Sequence, residues 1–237
     1  MSHSIAKPTL RTLRHLETPK AHLVLFAHAG HTHHSDHTLY HNLAQHLAEQ
    51  RLQPHLVVVQ RHRTSAPDTN SSSYASATSS LTALCRRASL IVDVLRAAAI
   101  LDAPLAFFGH SLGALLAYET ALEMRRRKLR LPLCLALSAH EPPSHGIPEA
   151  QRGLPSLADA ALLEALRAWG FDALSLAESV DAESLATLLE PLRSDLAMRE
   201  GYLVEAATAT AAAPAPPLPR PLYAFGGDGA RSVGTPA

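Results

Sequence analysis

The stretch Leu105–Tyr118, LAFFGHSLGALLAY, decides the fold and holds the most informative motif of the chain. Its first four residues are continuously apolar, as in a strand that is buried on both faces of a parallel sheet, and a helical pattern begins at Leu112. Between them residues 109–113, GHSLG, match G-x-S-x-G, in which a sharp strand-to-helix turn exposes the serine hydroxyl. The segment predicts that Ser111 is a nucleophile, with helix capping by this serine as the alternative.

Strand and helix patterns alternate on both sides of this motif. Strict alternation indicates parallel strands, because parallel neighbours need a crossover connection that is usually a helix. We therefore expect an α/β fold with a mostly parallel, doubly wound sheet. The predicted strands are His22–Ala27, His55–Gln60, Leu105–Phe108, Leu133–Leu137 and Leu222–Phe225, and the predicted helices are Leu39–Arg51, Thr78–Leu101 and Leu112–Arg130.

The alternation stops after Leu137, and the sequence from Ser156 to Ala206 has only helical patterns. An all-helical insertion in such a domain often forms a lid, and we expect one at about residues 145–206. A proline-rich connector then leads to the last strand. We expect residues 1–20 to be an N-terminal extension and residues 21–237 to form a single domain.

Composition excludes several classes of protein. The 237 residues are 47% hydrophobic and 18% charged, and 21 Lys+Arg balance 21 Asp+Glu, which argues against disorder and against a basic nucleic-acid surface. No apolar stretch is long enough to span a bilayer, and the N-terminus lacks the apolar core of a signal peptide. Two cysteines, Cys85 and Cys134, are too few for a disulfide framework. We expect a cytoplasmic protein without membrane or nucleic-acid partners.

The loop after the first predicted apolar strand is the second candidate element of an active site. Residues 26–30 read FAHAG. In a G-x-S-x-G architecture such a loop supplies one backbone N–H to the oxyanion hole, and the residue after the serine supplies the other. Ala29 and Leu112 are therefore the expected donors. His28 and His110 flank these positions, and we favour a structural role over a catalytic one for both.

The segments His28-Ala29-Gly30, Gly109–Glu119 and Leu192–Asp195 together resemble the type II thioesterases, which accompany polyketide, nonribosomal-peptide and fatty-acid synthases. The resemblance covers residues 21 to 228. It implies an α/β-hydrolase fold and a hydrolase that removes acyl groups from the phosphopantetheine arm of an acyl- or peptidyl-carrier protein. The reaction would pass through an acyl-serine at Ser111 and need no cofactor or metal.

The chain departs from this family near its C-terminus. The family's triad acid lies in a G-x-x-D loop, which corresponds here to residues 226–230, GGDGA. Asp228 lies near the expected place and is the candidate acid, while Ala230 occupies that place. The family's G-G-H segment, which carries the catalytic histidine, would lie beyond Ala237. We therefore expect a C-terminally truncated chain with impaired turnover.

Other residues offer substitutes for the missing groups. Glu141 follows one predicted strand at the place where some related synthase-embedded thioesterases carry the triad acid, but we favour an ordinary loop carboxylate over that role. His140 and His145 in the same loop are candidate substitute bases. His33, His37 and His41 have the spacing of a helical metal site, but Ser35, Asp36 and Thr38 resemble loop and capping residues, so we expect no functional metal. Two alternative functions stay open: a non-catalytic relative that binds a carrier protein, and a general carboxylesterase.

Overall fold

A computed structural model describes residues 8–14, 20–30, 36–50, 54–60, 80–168, 181–212 and 217–225. The chain forms two compact units. The first comprises residues 1–78, 82–141 and 216–237, and the second comprises residues 79–81 and 142–215. The first unit contains the sheet and the second is helical.

The sheet has six strands in the order β1-β3-β2-β4-β5-β6. Its strands are β1 (Thr9–Arg14), β2 (His22–Phe26), β3 (His55–Gln60), β4 (Leu105–His110), β5 (Leu135–Ser138) and β6 (Leu222–Phe225). Strand β1 is antiparallel to β3, and every other neighbouring pair is parallel. The expected mostly parallel α/β sheet is confirmed, and all five predicted strands are present, two with the predicted bounds and three with one or both ends shifted by one or two residues.

Strand β1 was not predicted, and it lies within the segment that we expected to be an extension. Its sequence, TLRTLR, places a leucine at every third position, which matches neither the alternation nor the continuous apolarity of a strand. A register shift between Thr12 and Arg14 interrupts its pairing with β3. Leu13 nevertheless packs against the buried cluster of Leu25, Tyr40 and Val58. The edge of β3 supplies the hydrogen-bond partners that make this polar segment a strand.

Among the described residues, three α-helices lie between strands β2 and β5 in sequence: α1 (Asp36–Glu49), α2 (Ser80–Ala97) and α3 (Leu112–Arg126). Helix α1 begins at Asp36, so our expectation that Asp36 and Thr38 interrupt the helix before Leu39 was wrong. Helix α3 ends earlier than predicted because Lys128 adopts a left-handed φ of 55°. Its first six residues are all buried, as are the central residues of β3, the second half of β2 and alternate residues of β4, so the core lies around this helix and these strands.

In the second unit, helices lie on both sides of residues 169–180, which are outside the described residues. The unit contains α4 (Asp159–Ala168) and α5 (Ala182–Ala212), preceded by three short 3₁₀ turns. Arg193 donates to the Pro155 carbonyl at 2.7 Å, and Glu205 accepts hydrogen bonds at 2.9 and 3.2 Å from the backbone N–H groups of Ser80 and Leu81, which belong to the same unit. In the part of the chain that the structure describes, no helix is both long and apolar enough to cross a membrane.

Candidate active site

The turn at Ser111 has the strained geometry that the motif predicts. Strand β4 ends at His110, α3 begins at Leu112, and Ser111 between them has φ 54° and ψ −122°. A non-glycine residue rarely adopts a positive φ, and such strain persists only where the surrounding structure enforces it. Here the Ser111 N–H donates to the Ser138 carbonyl at 2.8 Å, and the Ala114 N–H donates to the Ser111 carbonyl at 2.9 Å.

The Ser111 side chain does not cap the helix. Its hydroxyl makes no capping hydrogen bond to the first turn of α3, although Ser111 is the residue that precedes this helix. The alternative interpretation, in which the serine serves only as a helix cap, therefore has no support in the geometry. The hydroxyl stands instead at the positive end of the α3 dipole, where unpaired N–H groups favour developing negative charge.

Both glycines of the motif are required by backbone contacts. A Cβ atom on Gly109 would collide with the carbonyl group of Gly113, and a Cβ atom on Gly113 would collide with the carbonyl oxygen of Phe26 and lie 2.6 Å from that of Ala27. These obstacles are main-chain atoms, which cannot move aside as the end of a flexible side chain can. The start of α3 therefore packs directly on the end of β2.

This packing brings the two expected oxyanion donors to one edge of the sheet. Phe26 of β2 is in register with Gly109 of β4, so the loop after β2 and the turn after β4 leave the sheet at the same end. Ala29 and Leu112 are both buried, with relative exposures of 7% and 0%. Gly30, which follows Ala29, has a left-handed φ of 71°, a conformation that glycine adopts readily.

The two histidines beside the serine have partners other than its hydroxyl. His110 Nδ1 lies 3.1 Å from Ser138 Oγ, and burial lowers the pKa of this imidazole. His28 Nδ1 donates to the Ala29 carbonyl at 2.6 Å, which places the proton of a neutral His28 ring on Nδ1. The two rings meet edge to face, with their centroids 6.3 Å apart.

The remaining candidate residues are not joined to Ser111 by the described structure. Asp228 and Ala230 lie outside the described residues, as does His33, and the side chain of His37 is also outside. His140 Nδ1 donates to the Glu141 carbonyl at 2.6 Å, and His145 is exposed. Within the described ranges, no hydrogen bond joins a histidine to the Ser111 hydroxyl, and no three His, Cys, Asp or Glu residues are grouped to hold a metal ion.

Ser138 is the residue of this site that our sequence analysis missed. It is the last residue of β5 and is in register with His110, the last residue of β4. A polar residue at the carboxyl end of a parallel strand is a signal for a site residue, because such ends converge on one edge of the sheet. The sequence alone did not show that β5 lies beside β4.

Two solved thioesterase structures are similar to this chain over most of its length. RedJ, a thioesterase from the prodiginine biosynthetic pathway in Streptomyces coelicolor, is 26% identical, with 91% of this chain and 72% of RedJ covered and a TM-score of 0.59. YbtT, a type II thioesterase from the yersiniabactin biosynthetic pathway, is 26% identical, with 93% of this chain and 78% of YbtT covered and a TM-score of 0.62.

A third relative matches over a shorter segment. The linear gramicidin dehydrogenase LgrE of Brevibacillus parabrevis is 33% identical over 103 residues, which are 43% of this chain but only 38% of LgrE. The thioesterase-domain family model, in contrast, matches residues 21–236, nearly the whole chain. With its strained serine turn on a mostly parallel sheet, the chain belongs to the thioesterase family and has the α/β-hydrolase fold of type II thioesterases.

Proposed function

We propose that the chain hydrolyses acyl thioesters held on the phosphopantetheine arm of an acyl- or peptidyl-carrier protein. The observation that carries the proposal is the Ser111 turn, where a strained serine without a capping bond stands at the start of a buried helix. Membership of the thioesterase family supports thioester chemistry, and the biosynthetic pathways of RedJ and YbtT support a carrier-bound substrate.

In the proposed reaction, Ser111 Oγ attacks the thioester carbonyl carbon. The backbone N–H groups of Ala29 and Leu112 hold the resulting oxyanion, and removing one such donor typically costs about 10²–10³ in rate. The C–S bond then breaks, and the pantetheine leaves as a thiol with the proton that the serine hydroxyl gave up. Water attacks the acyl-serine, releases the carboxylic acid and restores the hydroxyl.

The expectation of weak turnover is part of the proposal. A serine hydroxyl is a poor nucleophile without an adjacent base, and within the described residues no imidazole is hydrogen-bonded to Ser111. The oxyanion hole and substrate binding alone give about 10³–10⁴ of rate enhancement in serine proteases. We keep Asp228 as the proposed acid, on the resemblance of its loop to that of the family.

The experiment measures hydrolysis of short and medium acyl-pantetheine thioesters and of oxygen esters with the same acyl chains. We expect thioester turnover that disappears in Ser111→Ala. A preference for the oxygen esters would instead indicate a carboxylesterase. Carrier-protein binding without any turnover would indicate the non-catalytic alternative and overturn the proposal.

A further inference from the structure

A chain of contacts runs behind the serine turn and ends at the loop that holds Ala29. It begins at Ser138 Oγ, which is 3.1 Å from His110 Nδ1. The His110 ring meets the His28 ring edge to face, at an interplanar angle of 86° and a centroid separation of 6.3 Å. His28 Nδ1 then donates to the Ala29 carbonyl at 2.6 Å.

Each contact restricts the rotation of one side chain or peptide group. The hydrogen bond to Ser138 fixes the rotation of the His110 ring about its Cβ–Cγ bond. An edge-to-face pair has a preferred orientation because the ring edge is positive and the ring face negative, so His110 in turn orients His28. The His28–Ala29 hydrogen bond fixes the peptide group that follows Ala29, and therefore restricts where the Ala29 N–H can point.

Ser138 acts on both sides of the candidate oxyanion hole. Its carbonyl accepts the Ser111 N–H at 2.8 Å, which holds the turn that leads into Leu112. Its hydroxyl holds the histidine that contacts the other loop. Ser138, at the end of β5, thus makes one hydrogen bond to the residue before Leu112 and another to the histidine whose ring contacts the residue before Ala29.

We propose that Ser138 and His110 are positioning residues that align the Ala29 N–H with the Ser111 turn through His28. This inference rests on the proposed function of Ser111 and Ala29. The role differs from that of a catalytic base, because neither the hydroxyl of Ser138 nor the ring of His110 exchanges a proton with Ser111. Misalignment weakens an interaction made in the transition state, so it lowers kcat and leaves KM almost unchanged.

The first test compares Ser138→Ala with Ser138→Thr. We expect Ser138→Ala to lower kcat about tenfold, which is less than the loss of a whole oxyanion donor, with KM within about twofold. Ser138→Thr keeps the hydroxyl and restores kcat. Ser89→Ala is the matched control, because it removes a serine hydrogen bond to Arg127 in the same unit and touches neither loop. An equal loss of kcat in Ser89→Ala, or no rescue by threonine, would overturn the inference.

Two His110 variants separate the links of the chain. His110→Asn offers a polar group to Ser138 but no ring to His28, and His110→Phe offers the ring but no hydrogen bond. We expect both to lower kcat, since each breaks one link. Full activity in both variants would show that His110 positions nothing.

A spectroscopic readout keeps the inference separate from the proposed function. In ¹⁵N-histidine-labelled protein, the ring nitrogens of His28 should shift in Ser138→Ala and return in Ser138→Thr. Absence of thioester hydrolysis in the wild type, with no effect of Ser111→Ala, would refute the proposed function alone. Unchanged His28 ring signals in Ser138→Ala would refute the positioning role, whether or not the wild type turns over.

Discussion

Ser111 occupies a backbone conformation that glycine adopts far more readily than serine. Backbone hydrogen bonds with Ser138 and Ala114 hold its φ of 54° and ψ of −122°. Its side chain makes no capping hydrogen bond that would offset the strain. The proposed nucleophile is therefore placed at the expense of stability. The motif made this residue predictable, because a strand-to-helix turn this tight leaves no room for a Cβ atom at Gly109 or Gly113.

Replacing the serine should separate stability from activity. We expect Ser111→Gly to raise the free energy of unfolding by about 1 kcal/mol, because glycine relieves the strain of a left-handed conformation. Ser111→Ala keeps the Cβ atom and should bring no such gain. Both variants should lose labelling by an active-serine phosphonate probe. Urea unfolding measures the difference, and equal stability of the two variants would contradict the argument.

Gly113 tests the close approach of α3 to β2. We expect Gly113→Ala to destabilise the fold by about 3 kcal/mol, at the top of the range for overpacking, because its Cβ atom would meet the Phe26 and Ala27 carbonyls. Gly153→Ala is the control: that glycine has φ 71° with open space around it, so only the conformational cost of about 1 kcal/mol remains. Equal losses of stability in the two variants would show that the collision is relieved.

Ser138 could not have been identified at the residue scale. Its importance depends on the register of β4 with β5, and the two strands are separated in the sequence by the whole of α3. The edge-to-face contact of His28 with His110 likewise joins two segments that are far apart in the chain. Sequence motifs identify residues whose geometry is local, and these contacts are not local.

At the scale of elements, α2 and α3 are joined by polar contacts. Arg127, just after α3, binds Glu123 of α3 and both Asp93 and Ser89 of α2. Cys85 of α2 donates its S–H to the buried Glu119 of α3 at 3.4 Å. Strong apolar runs made both helices predictable, but these cross-contacts depend on which helix faces lie together.

The Cys85–Glu119 contact should make this thiol unreactive. Burial, and then the adjacent Glu119 carboxylate, raise the pKa of Cys85 to about 11, so little thiolate forms near neutral pH. We expect iodoacetamide to alkylate Cys85 much more slowly in the folded protein than in urea. Glu119→Gln should speed alkylation severalfold, because it removes a neighbouring negative charge.

Glu123→Gln provides the control for this experiment. It removes contacts with Arg126 at the end of α3 and with Arg127 just after it, but it leaves in place the Glu119 carboxylate that accepts the Cys85 hydrogen bond. Mass spectrometry of timed alkylation distinguishes the two variants. If Glu123→Gln accelerates the reaction as much as Glu119→Gln does, local loosening of the helices is the cause and the electrostatic explanation is wrong.

At the scale of the whole molecule, the sequence predicted the class of sheet but not its order. Apolar runs between helices are enough to predict parallel strands, because each crossover needs a helix. The antiparallel β1 at one edge has a polar sequence and forms only because β3 offers it an edge. Edge strands are the elements whose formation depends most on their neighbours and least on their own residues.

The stability of the whole fold should depend on pH, and the buried His22 offers a test of this dependence. His22 is buried beside His55, with the ring centroids 5.0 Å apart, and burial lowers its pKa from the ordinary value of 6.5. Burial lowers the pKa of His110 in the same way. The unfolded chain therefore binds protons more readily than the folded one, and stability falls as the pH drops through about 6.5.

We expect the Tm of the wild type to fall between about pH 7.5 and about pH 5, and the fall to be smaller in His22→Leu, where one buried imidazole is gone. Glu123 does not contribute to the change in stability over this pH range. Burial opposes its charge, but hydrogen bonds from Arg127 and Arg126 keep its pKa below 4.5, so its contribution is lost only at lower pH. His46→Leu controls for removing a histidine at an exposed position. If the Tm of His22→Leu falls as far as that of the wild type over this pH range, protonation of His22 is not the cause of the acid sensitivity.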